Sequence, residues 1–594
     1  MIVDPHSFAN PDEARVVHLD LALTVDFDAR RLEGTATLDL ALAPDARALV
    51  LDTRGLTIHA ITDASGIALP FALAAADPLL GSALHIDVSS GATQVVVRYT
   101  TGPDAGALQW LAPAQTAGGA HPFLFTQGHA LETRSWIPTQ DSPAVRHTYA
   151  ARITVPTALV AAMSAERLPP VVAPDGETRV FSFTMREPIP PYLIALAVGD
   201  LAFRATGPRT GVFAEPALIE RAAHEFAEIE RMIDAAESLL GAYRWGRFDV
   251  MVMPPSFPYG GMENPRLTFT SPSLLAGDRS LTTVVAHELA HAWAGNLVVN
   301  ATWDDFWLNE GFTVYVELRM NELLWGHERA GMLKTYGWRE LGAEIERLGP
   351  SSPDTRLHYD MRGRDPVVGV TAIPYLKGVA FLWTLELAVG RARFDPWLRG
   401  WFDRHAFGSV TTEDLVIDLR AHLFGDAPPV DLDRWLHQPG LPAEAAPPPS
   451  PALERVDAGA RAFLAGAPAV SLGAGAWCAQ EWRHFLGTLL GQVPAERLAE
   501  LDEVFALSES ENTEVLFAWL RVAARCRHAP ALPVIARFLG KNGRGKYLRP
   551  LYTELLASDE GAALARRVYA EARPRYHTVV QTALDTLFSK SAAR

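Results

Sequence analysis

Cysteine is scarce in this chain of 594 residues, which has only Cys478 and Cys526. A secreted protein of this length held by disulfides would carry more, so we expect two buried free thiols, although one bridge stays open. Basic residues are outnumbered too, because 53 Lys and Arg face 69 Asp and Glu for a net charge of −16. Since a nucleic-acid-binding surface needs a basic patch, no nucleic-acid partner is expected.

Long apolar runs and targeting signals are missing as well. No stretch approaches the ~20 apolar residues of a membrane-spanning helix, and the apolar segment 192–198 is short enough to be a buried strand. Residues 1–6 lack the basic segment followed by an apolar one that marks a signal peptide. These absences predict a cytoplasmic protein that does not contact a membrane.

The length predicts several domains, roughly three to five. Residues 1–200 are predicted to form an all-β domain of the sandwich or saddle type. Runs such as 32–40 and 93–99 alternate apolar and polar residues, and clusters of Gly, Pro, Asp and Ser separate them. That alternation is typical of strands with one buried face.

From about residue 216 the apolar spacing becomes helical. Residues 217–243 are predicted to form one long helix, and helical patterns dominate a second domain at 201–437. The Pro- and Ala-rich stretch 438–455 is predicted to be a semi-rigid linker. Residues 456–594 contain several amphipathic helices, for which a bundle or superhelical stack is the natural packing.

Two histidines one helical turn apart give the strongest chemical signal in the chain. The sequence HELAH runs from His287 to His291, and residues four apart on a helix lie on the same face. Two imidazole nitrogens can therefore reach one metal ion, with Glu288 beside them to address a metal-bound water. A surface helix with incidental histidines is the alternative.

A catalytic zinc site usually has three protein ligands and one open position. We predict Glu310 as the third ligand, because eighteen residues separate it from His291. This distance suits a helix end, a loop through 295–296 and a second helix that packs back against the first. Glu317 lies two turns later on the same face, where it can orient a ligand histidine.

These motifs resemble those of a known family. HELAH, the eighteen-residue spacing and Glu310 in WLNEGF resemble the gluzincin zinc aminopeptidases, the aminopeptidase N family, and residues 260–264 look like its GxMEN motif. The segments 286–297, 255–259 and 274–278 resemble the leukotriene-A hydrolase/aminopeptidase branch. The resemblance covers essentially the whole chain. It implies a multidomain α+β fold: an N-terminal β domain, a thermolysin-like, mainly α catalytic domain and a C-terminal α-helical superhelical domain around a central cleft.

The resemblance implies an aminopeptidase that removes the N-terminal residue from short peptides. His287, His291 and Glu310 would hold one zinc ion per chain, which would lower the pKa of a bound water towards ~7. Glu288 would act as the general base. Tyr375 matches the family tyrosine whose hydroxyl faces the tetrahedral oxyanion. Without the resemblance it would be taken for a core or surface tyrosine.

The resemblance also assigns substrate-binding residues in the GGMEN segment. Glu263 would pair with the free α-ammonium of the substrate, which separates an aminopeptidase from an endopeptidase. A structural carboxylate held in a salt bridge is the alternative. Gly260 and Gly261, followed by Met262, are expected to let a substrate backbone approach closely, as a strand would.

In the helical tail, Arg544 and Lys546 match residues that bind the C-terminal carboxylate of the substrate in this branch. Arg544 would bind it bidentately, with Lys546 as a second point charge. The pair would favour short peptides, whose far end reaches it. Without the resemblance, two basic residues in a loop would be taken as solvated.

Three positions depart from the branch pattern. His129 stands where the family has Gln or Glu to help hold the substrate amine. A neutral histidine can accept a hydrogen bond, but a protonated one repels the ammonium, so we expect substrate affinity to fall below about pH 6.5. Val367 and Val370 replace the acid and the tyrosine that serve epoxide hydrolysis, and their presence favours small or apolar first residues over Arg.

Other functions fit these residues less well. A zinc epoxide hydrolase is disfavoured by the two valines, and an inactive binding scaffold would be expected to lack a ligand or Glu288. An endopeptidase is disfavoured by Glu263. The sequence leaves the physiological peptide open, and we expect a monomer.

Overall fold

The structure is a computed structural model that describes residues 4–174, 176–369, 371–491 and 493–592. Val370, one of the two valines that depart from the branch pattern, lies outside the described residues. Within the described part of the chain, no helix has both the length and the apolar character needed to cross a membrane.

The first third of the chain is built from strands. The largest sheet has the order β12-β14-β10-β1-β2-β7-β4, in which β1 runs antiparallel to β2 and parallel to β10. Leu19, Leu21 and Leu23 are buried at alternate positions of β1, so the period-two pattern faces a core as predicted. The strand bounds are β1 Ala14–Asp26, β2 Arg31–Leu42, β3 Ala48–Thr53, β4 Thr57–Asp63, β5 Phe71–Leu73, β6 Ser82–Asp87, β7 Gln94–Thr100, β8 Leu108–Leu111, β9 Phe123–Thr126, β10 His147–Pro156, β11 Val160–Met163, β12 Glu166–Arg167, β13 Val171–Val172, β14 Thr178–Ile189, β15 Leu196–Gly199 and β16 Ala202–Ala205.

The strand predicted for 192–198 is wrong in its first half. Pro191–Leu193 is a short 3-10 helix, and β15 begins only at Leu196. Proline has no N–H for a strand ladder, so Pro190 and Pro191 turn the chain before the strand can start. The residues of this segment are buried, as predicted.

The middle of the chain combines a sheet, ordered β16-β17-β18-β20-β19, with many helices. The remaining strands are β17 Thr210–Ala214, β18 Phe248–Val252, β19 Gly261–Met262, β20 Leu267–Thr270, β21 Val298–Asn300 and β22 Gly408–Val410. The helices are α1 Ile219–Glu225, α2 Ile229–Leu240, α3 Thr283–Ala290, α4 Trp307–Trp325, α5 His327–Leu348, α6 Pro366–Gly369, α7 Ile373–Val389, α8 Arg391–Arg404, α9 Thr412–Leu419 and α10 Leu432–Leu436.

The single helix predicted for 217–243 is wrong, because the chain breaks between α1 and α2. A loop docks at the break: the Glu225 carboxylate accepts the Gly277 N–H at 2.7 Å, and Arg279 donates to Glu228 at 3.0 Å. These tertiary bonds override the local helical preference.

Two glycines set how closely the site-bearing helices α4 and α7 cross. A Cβ added to Gly311 or to Gly378 would lie 2.8 Å from the Cα of the other. Only residues without a side chain permit this approach. The crossing brings Glu310, the neighbour of Gly311, to the level of Tyr375, which precedes Gly378 by three residues on α7.

The helical tail begins earlier than the sequence suggested. The predicted linker 438–455 is irregular only as far as 450, because Pro451 sits at the first helical position and the Ser450 hydroxyl accepts the Leu453 N–H. The tail helices are α11 Pro451–Leu464, α12 Ala479–Thr488, α13 Ala495–Phe505, α14 Thr513–Arg525, α15 Leu532–Lys541, α16 Gly545–Leu555, α17 Asp559–Ala572 and α18 Thr578–Ala592.

The tail has a core of its own. Helix α14 packs against α12 and α16, and α17 packs against α15 and α16. The predicted multidomain α+β fold with a helical C-terminal region is thus confirmed, whereas its domain boundaries stay predictions. Cys478 and Cys526 are free thiols, but both are only partly buried because each lies at a helix end. The expected full burial is wrong.

Candidate metal centre and peptide cleft

The HELAH histidines and Glu310 converge at the crossing of α3 and α4. His287 lies within α3, and His291 lies directly after its end. The Nε2 atoms of His287 and His291 are 3.5 Å and 3.7 Å from the Glu310 Oε2 atom. Two imidazole nitrogens and one carboxylate oxygen therefore face a common point.

This group fits a zinc ion. Zinc–ligand bonds of roughly 2.0–2.2 Å in a tetrahedral site place ligand atoms about 3.3–3.6 Å apart. Glu310 Oε2 is buried and has no hydrogen-bond partner in the described structure. A buried carboxylate oxygen in this position is satisfied when a cation binds between it and the imidazoles.

Each ligand histidine is held by its other ring nitrogen. His287 Nδ1 lies 3.0 Å from Glu317 Oε2, and His291 Nδ1 lies 3.0 Å from the Ala294 carbonyl oxygen. Both acceptors favour a proton on Nδ1, which leaves Nε2 free for the metal. Thr313, one turn after Asn309 on α4, adds a hydroxyl 3.1 Å from His291 Nδ1.

Glu288 packs against the bare backbone of Gly261. A Cβ on Gly261 would lie 2.1 Å from Glu288 Oε1, so the carboxylate can occupy this position only beside glycine. Burial, reinforced by the carboxylates of Glu263 and Glu310 and opposed by His287, raises the pKa of Glu288 to about 8. A cation bound in the site would lower that pKa. A carboxylate so placed can exchange protons near neutral pH.

Glu263 lies beside the same group and is only 7% exposed. Burial raises its pKa, and the side chains that act on it are His129, Glu310 and His287, none of them Lys or Arg. Its backbone carbonyl accepts a 2.8 Å bond from Asn296 Nδ2, which fixes the end of β19. The structural salt bridge that the sequence left open thus finds no Lys or Arg among the groups that face this carboxylate.

His129 is enclosed by aromatic rings. Its ring centroid lies 4.8 Å from that of Trp303, 5.4 Å from Phe306 and 5.7 Å from Tyr192. Burial lowers its pKa below the ordinary 6.5, against the opposing pull of Glu263. Its Nε2 atom is buried and has no hydrogen-bond partner within the described structure. The imidazole is therefore neutral at neutral pH and has a nitrogen available for a ligand.

Tyr375 stands on the opposite wall, near the start of α7. Its hydroxyl interacts with the Glu310 carboxylate, and burial raises its pKa well above 10.0. The phenol therefore keeps its proton and can donate it in a hydrogen bond. Its ring contacts Phe306 edge-on at 6.1 Å, which fixes its orientation.

Arg544 and Lys546 reach the cleft by different routes. A Cβ on Gly260 would lie 2.5 Å from Arg544 Nη2, so the guanidinium rests against the GGMEN backbone. Lys546 Nζ instead lies 2.5 Å from Glu514 Oε1, which also accepts the Tyr547 hydroxyl at 2.8 Å. The expected pair of free charges is therefore one available guanidinium and one lysine already held by a carboxylate.

Val367 does not join this group. It lies in α6, and its side chain is 48% exposed. Sequence reasoning missed Glu514, Asn296 and Thr313. The helical spacing from Asn309 and Glu310 could have indicated Thr313, but no local signal links Glu514 to Lys546, 32 residues later.

Comparisons with known proteins agree along the chain. Three family models match: the Peptidase M1 N-terminal domain at 16–193, the Peptidase family M1 domain at 224–434 and the leukotriene A4 hydrolase C-terminal domain at 477–588. A leukotriene A-4 hydrolase of Xenopus laevis is 37% identical over 98% of both chains. Leucine aminopeptidase 2 of Yarrowia lipolytica is 33% identical over 97% of this chain and 92% of its own.

The fold has solved counterparts as well. The structure of yeast LTA4 hydrolase in complex with bestatin superposes with a TM-score of 0.90 at 30% identity, covering 98% of this chain and 96% of that one. A two-domain M1 zinc metallopeptidase from Deinococcus radiodurans covers 75% of this chain at 22% identity with a TM-score of 0.61, a likeness in fold.

Proposed function

The chain belongs to peptidase family M1, in the leukotriene A4 hydrolase branch, and we propose that it removes the N-terminal residue of short peptides. Family membership makes it a zinc-dependent metallo-aminopeptidase, and the resemblance seen in the motifs is confirmed. The observation that supports peptide cleavage at the N-terminus is Glu263, a buried carboxylate beside the metal ligands on which no Lys or Arg acts.

A substrate α-ammonium is the cation that Glu263 lacks. Burying a carboxylate is costly unless a positive group pairs with it. Ligand atoms of Glu263, Glu288 and His291 lie within 4.8 Å of one another. An ammonium held by Glu263 therefore leaves space for one residue before the scissile carbonyl. Neutral His129 adds a polar nitrogen there without a competing positive charge.

The chemistry is divided among neighbouring groups. His287, His291 and Glu310 would hold the zinc ion, which when bound polarises the scissile carbonyl and activates water. Glu288 takes the proton from the attacking water and passes it to the leaving amine. Tyr375 donates its hydroxyl hydrogen to the oxyanion, and the loss of such a donor typically lowers the rate ~100- to 1000-fold.

The backbone of the substrate would lie along Gly260, Gly261 and Met262. Strand β19 ends its sheet, and an extended peptide can add to the free edge of such a strand. At the far end we assign the substrate carboxylate to Arg544, whose guanidinium is the available one. Lys546 contributes from its place on Glu514.

Hydrolysis of aminoacyl amides with free and N-acetylated amines tests this proposal. We expect cleavage of the free-amine substrates only, loss of activity with a chelator and recovery with zinc. Equal rates on acetylated substrates would contradict the role of Glu263. No cleavage by folded, zinc-loaded protein would refute the proposal as a whole.

Epoxide hydrolysis is the second candidate, because the Xenopus relative is named for it. Val367 offers neither an acid nor a hydroxyl and is half exposed, so we propose that peptides are the substrates. Conversion of leukotriene A4 to a dihydroxy acid by the purified protein would reverse this choice.

The cytoplasmic location, the monomeric state and the absence of nucleic-acid partners stay predictions. Cell fractionation, sedimentation and a nucleic-acid binding assay test them.

A further inference from the structure

A cavity of about 210 Å³ lies between helices α4, α5 and α7. Apolar side chains form most of its lining, namely Val314, Leu333, Trp338, Leu376, Val379 and Trp383. Pockets that hold a whole small-molecule ligand usually measure roughly 300–1,000 Å³. This cavity is smaller, and it therefore suits a single side chain of a larger ligand.

One end of the cavity adjoins the metal ligands. Glu317 lines it and is the same residue that binds His287 Nδ1 at 3.0 Å. Leu376, another lining residue, directly follows Tyr375 on α7. The cavity thus begins next to the groups that would act on the scissile bond.

The other end adjoins the carboxylate-binding residues of the tail. Arg483 lines the cavity and lies 3.4 Å from Glu514 Oε2. The other oxygen of Glu514 holds Lys546 at 2.5 Å. A peptide whose amine is on Glu263 and whose carboxylate is on Arg544 would pass this opening with the residue that follows the scissile bond.

We propose that this cavity binds the side chain of the second residue of the substrate and selects aromatic and large aliphatic residues there. The inference rests on the proposed aminopeptidase function and adds a preference that the metal group does not set. Trp338 and Trp383 offer ring faces and edges to an incoming aromatic ring.

Charged groups at the cavity do not select a charged second residue. Glu317 and Glu340 are balanced by Lys334 and Arg483. Lys334 Nζ lies 5.1 Å from the Trp383 ring centroid and is therefore already engaged with the aromatic wall.

Gly337 on α5 keeps the cavity open. A Cβ at this position would lie 3.3 Å from a Leu376 methyl group, so a larger side chain would project into the space. Gly337→Leu is therefore a filling variant, and Trp383→Ala is an enlarging one. Leu387→Ala, one turn after Trp383 on α7 and 67% exposed in the native chain, is the matched control.

The experiment compares amidated dipeptides Leu-X with X = Gly, Ala, Leu, Phe and Trp, using the zinc-loaded full chain. Amidation removes any contribution from the C-terminal carboxylate, and leucine amide serves as a substrate with no second residue. We expect kcat/KM for X = Phe to exceed that for X = Gly by about 10- to 100-fold. Gly337→Leu should abolish this ratio and Trp383→Ala should reduce it at least fivefold, with leucine amide hydrolysed as by the parent.

Each result decides something different. Equal kcat/KM across the panel, with leucine amide cleaved, would overturn the cavity assignment and leave the aminopeptidase function standing. A preference that both cavity variants retain would also overturn it. Absence of cleavage of every substrate, leucine amide included, would overturn the proposed function and this inference together. The panel on the parent protein needs no variant, so a misfolded variant does not block the test.

Discussion

Gly261→Ala should cripple catalysis while leaving the fold intact. The added Cβ would lie 2.1 Å from Glu288 Oε1, whereas real Cβ contacts are essentially never under 3.0 Å. The carboxylate must therefore retreat by about 1 Å, and a displacement of this size at a reacting group can lower the rate on the order of 100-fold. The neighbour that must move is the end of a flexible side chain, so the free energy of unfolding should change little.

The assay is steady-state hydrolysis of leucine amide, with zinc content and thermal unfolding measured on the same preparations. We expect kcat to fall about 100-fold, with full zinc occupancy and nearly unchanged Tm. Gly260→Ala is the neighbouring control, because its Cβ would meet Arg544 at 2.5 Å instead of Glu288. That variant should raise KM for peptides with a free carboxylate and leave kcat on leucine amide close to the parent value. A Gly261→Ala enzyme within threefold of the parent kcat would refute this account of Glu288.

Three further predictions concern the surroundings of the metal. Glu317→Gln removes the charge that holds His287 Nδ1 and should weaken zinc affinity about 10- to 100-fold in a competition titration with a chelator; unchanged affinity would exclude that positioning role. His129 has a pKa lowered by burial, so it gains charge only as the pH falls below 6.5. KM should rise there in the parent, and His129→Glu should flatten the rise; parallel pH profiles would contradict it. Arg544→Ala should raise KM for free tripeptides far more than for their C-terminal amides, and an equal effect on both would show that Arg544 does not bind the carboxylate.

Short-range patterns carried most of what could be predicted. Residues four apart share a helix face, so HELAH indicated two ligands without any knowledge of the rest of the fold. Alternation in 32–40 indicated a strand for the same reason, and β2 occupies that segment. Motif resemblance then supplied Glu263 and Tyr375, whose types alone gave no signal.

Long-range contacts defeated the local reading at identifiable places. The helix predicted for 217–243 breaks because Glu225 and Glu228 bind the loop at 277–279, far along the chain. The helical pattern of 217–243 holds no trace of those partners. Likewise the charge of Lys546 is visible in the sequence, but its capture by Glu514 depends on how α14 and α16 pack.

The sequence by itself determined the ligand types, their spacing and the division into a strand-rich beginning, a mixed middle and a helical tail, since these depend on neighbours within a few turns. Tertiary structure alone decided that Gly311 and Gly378 touch, that Gly261 yields its space to Glu288 and that three helix faces leave a side-chain-sized cavity beside the metal ligands. These features depend on the distance between surfaces that are remote in the chain, and close packing fixes that distance only when every element is in place.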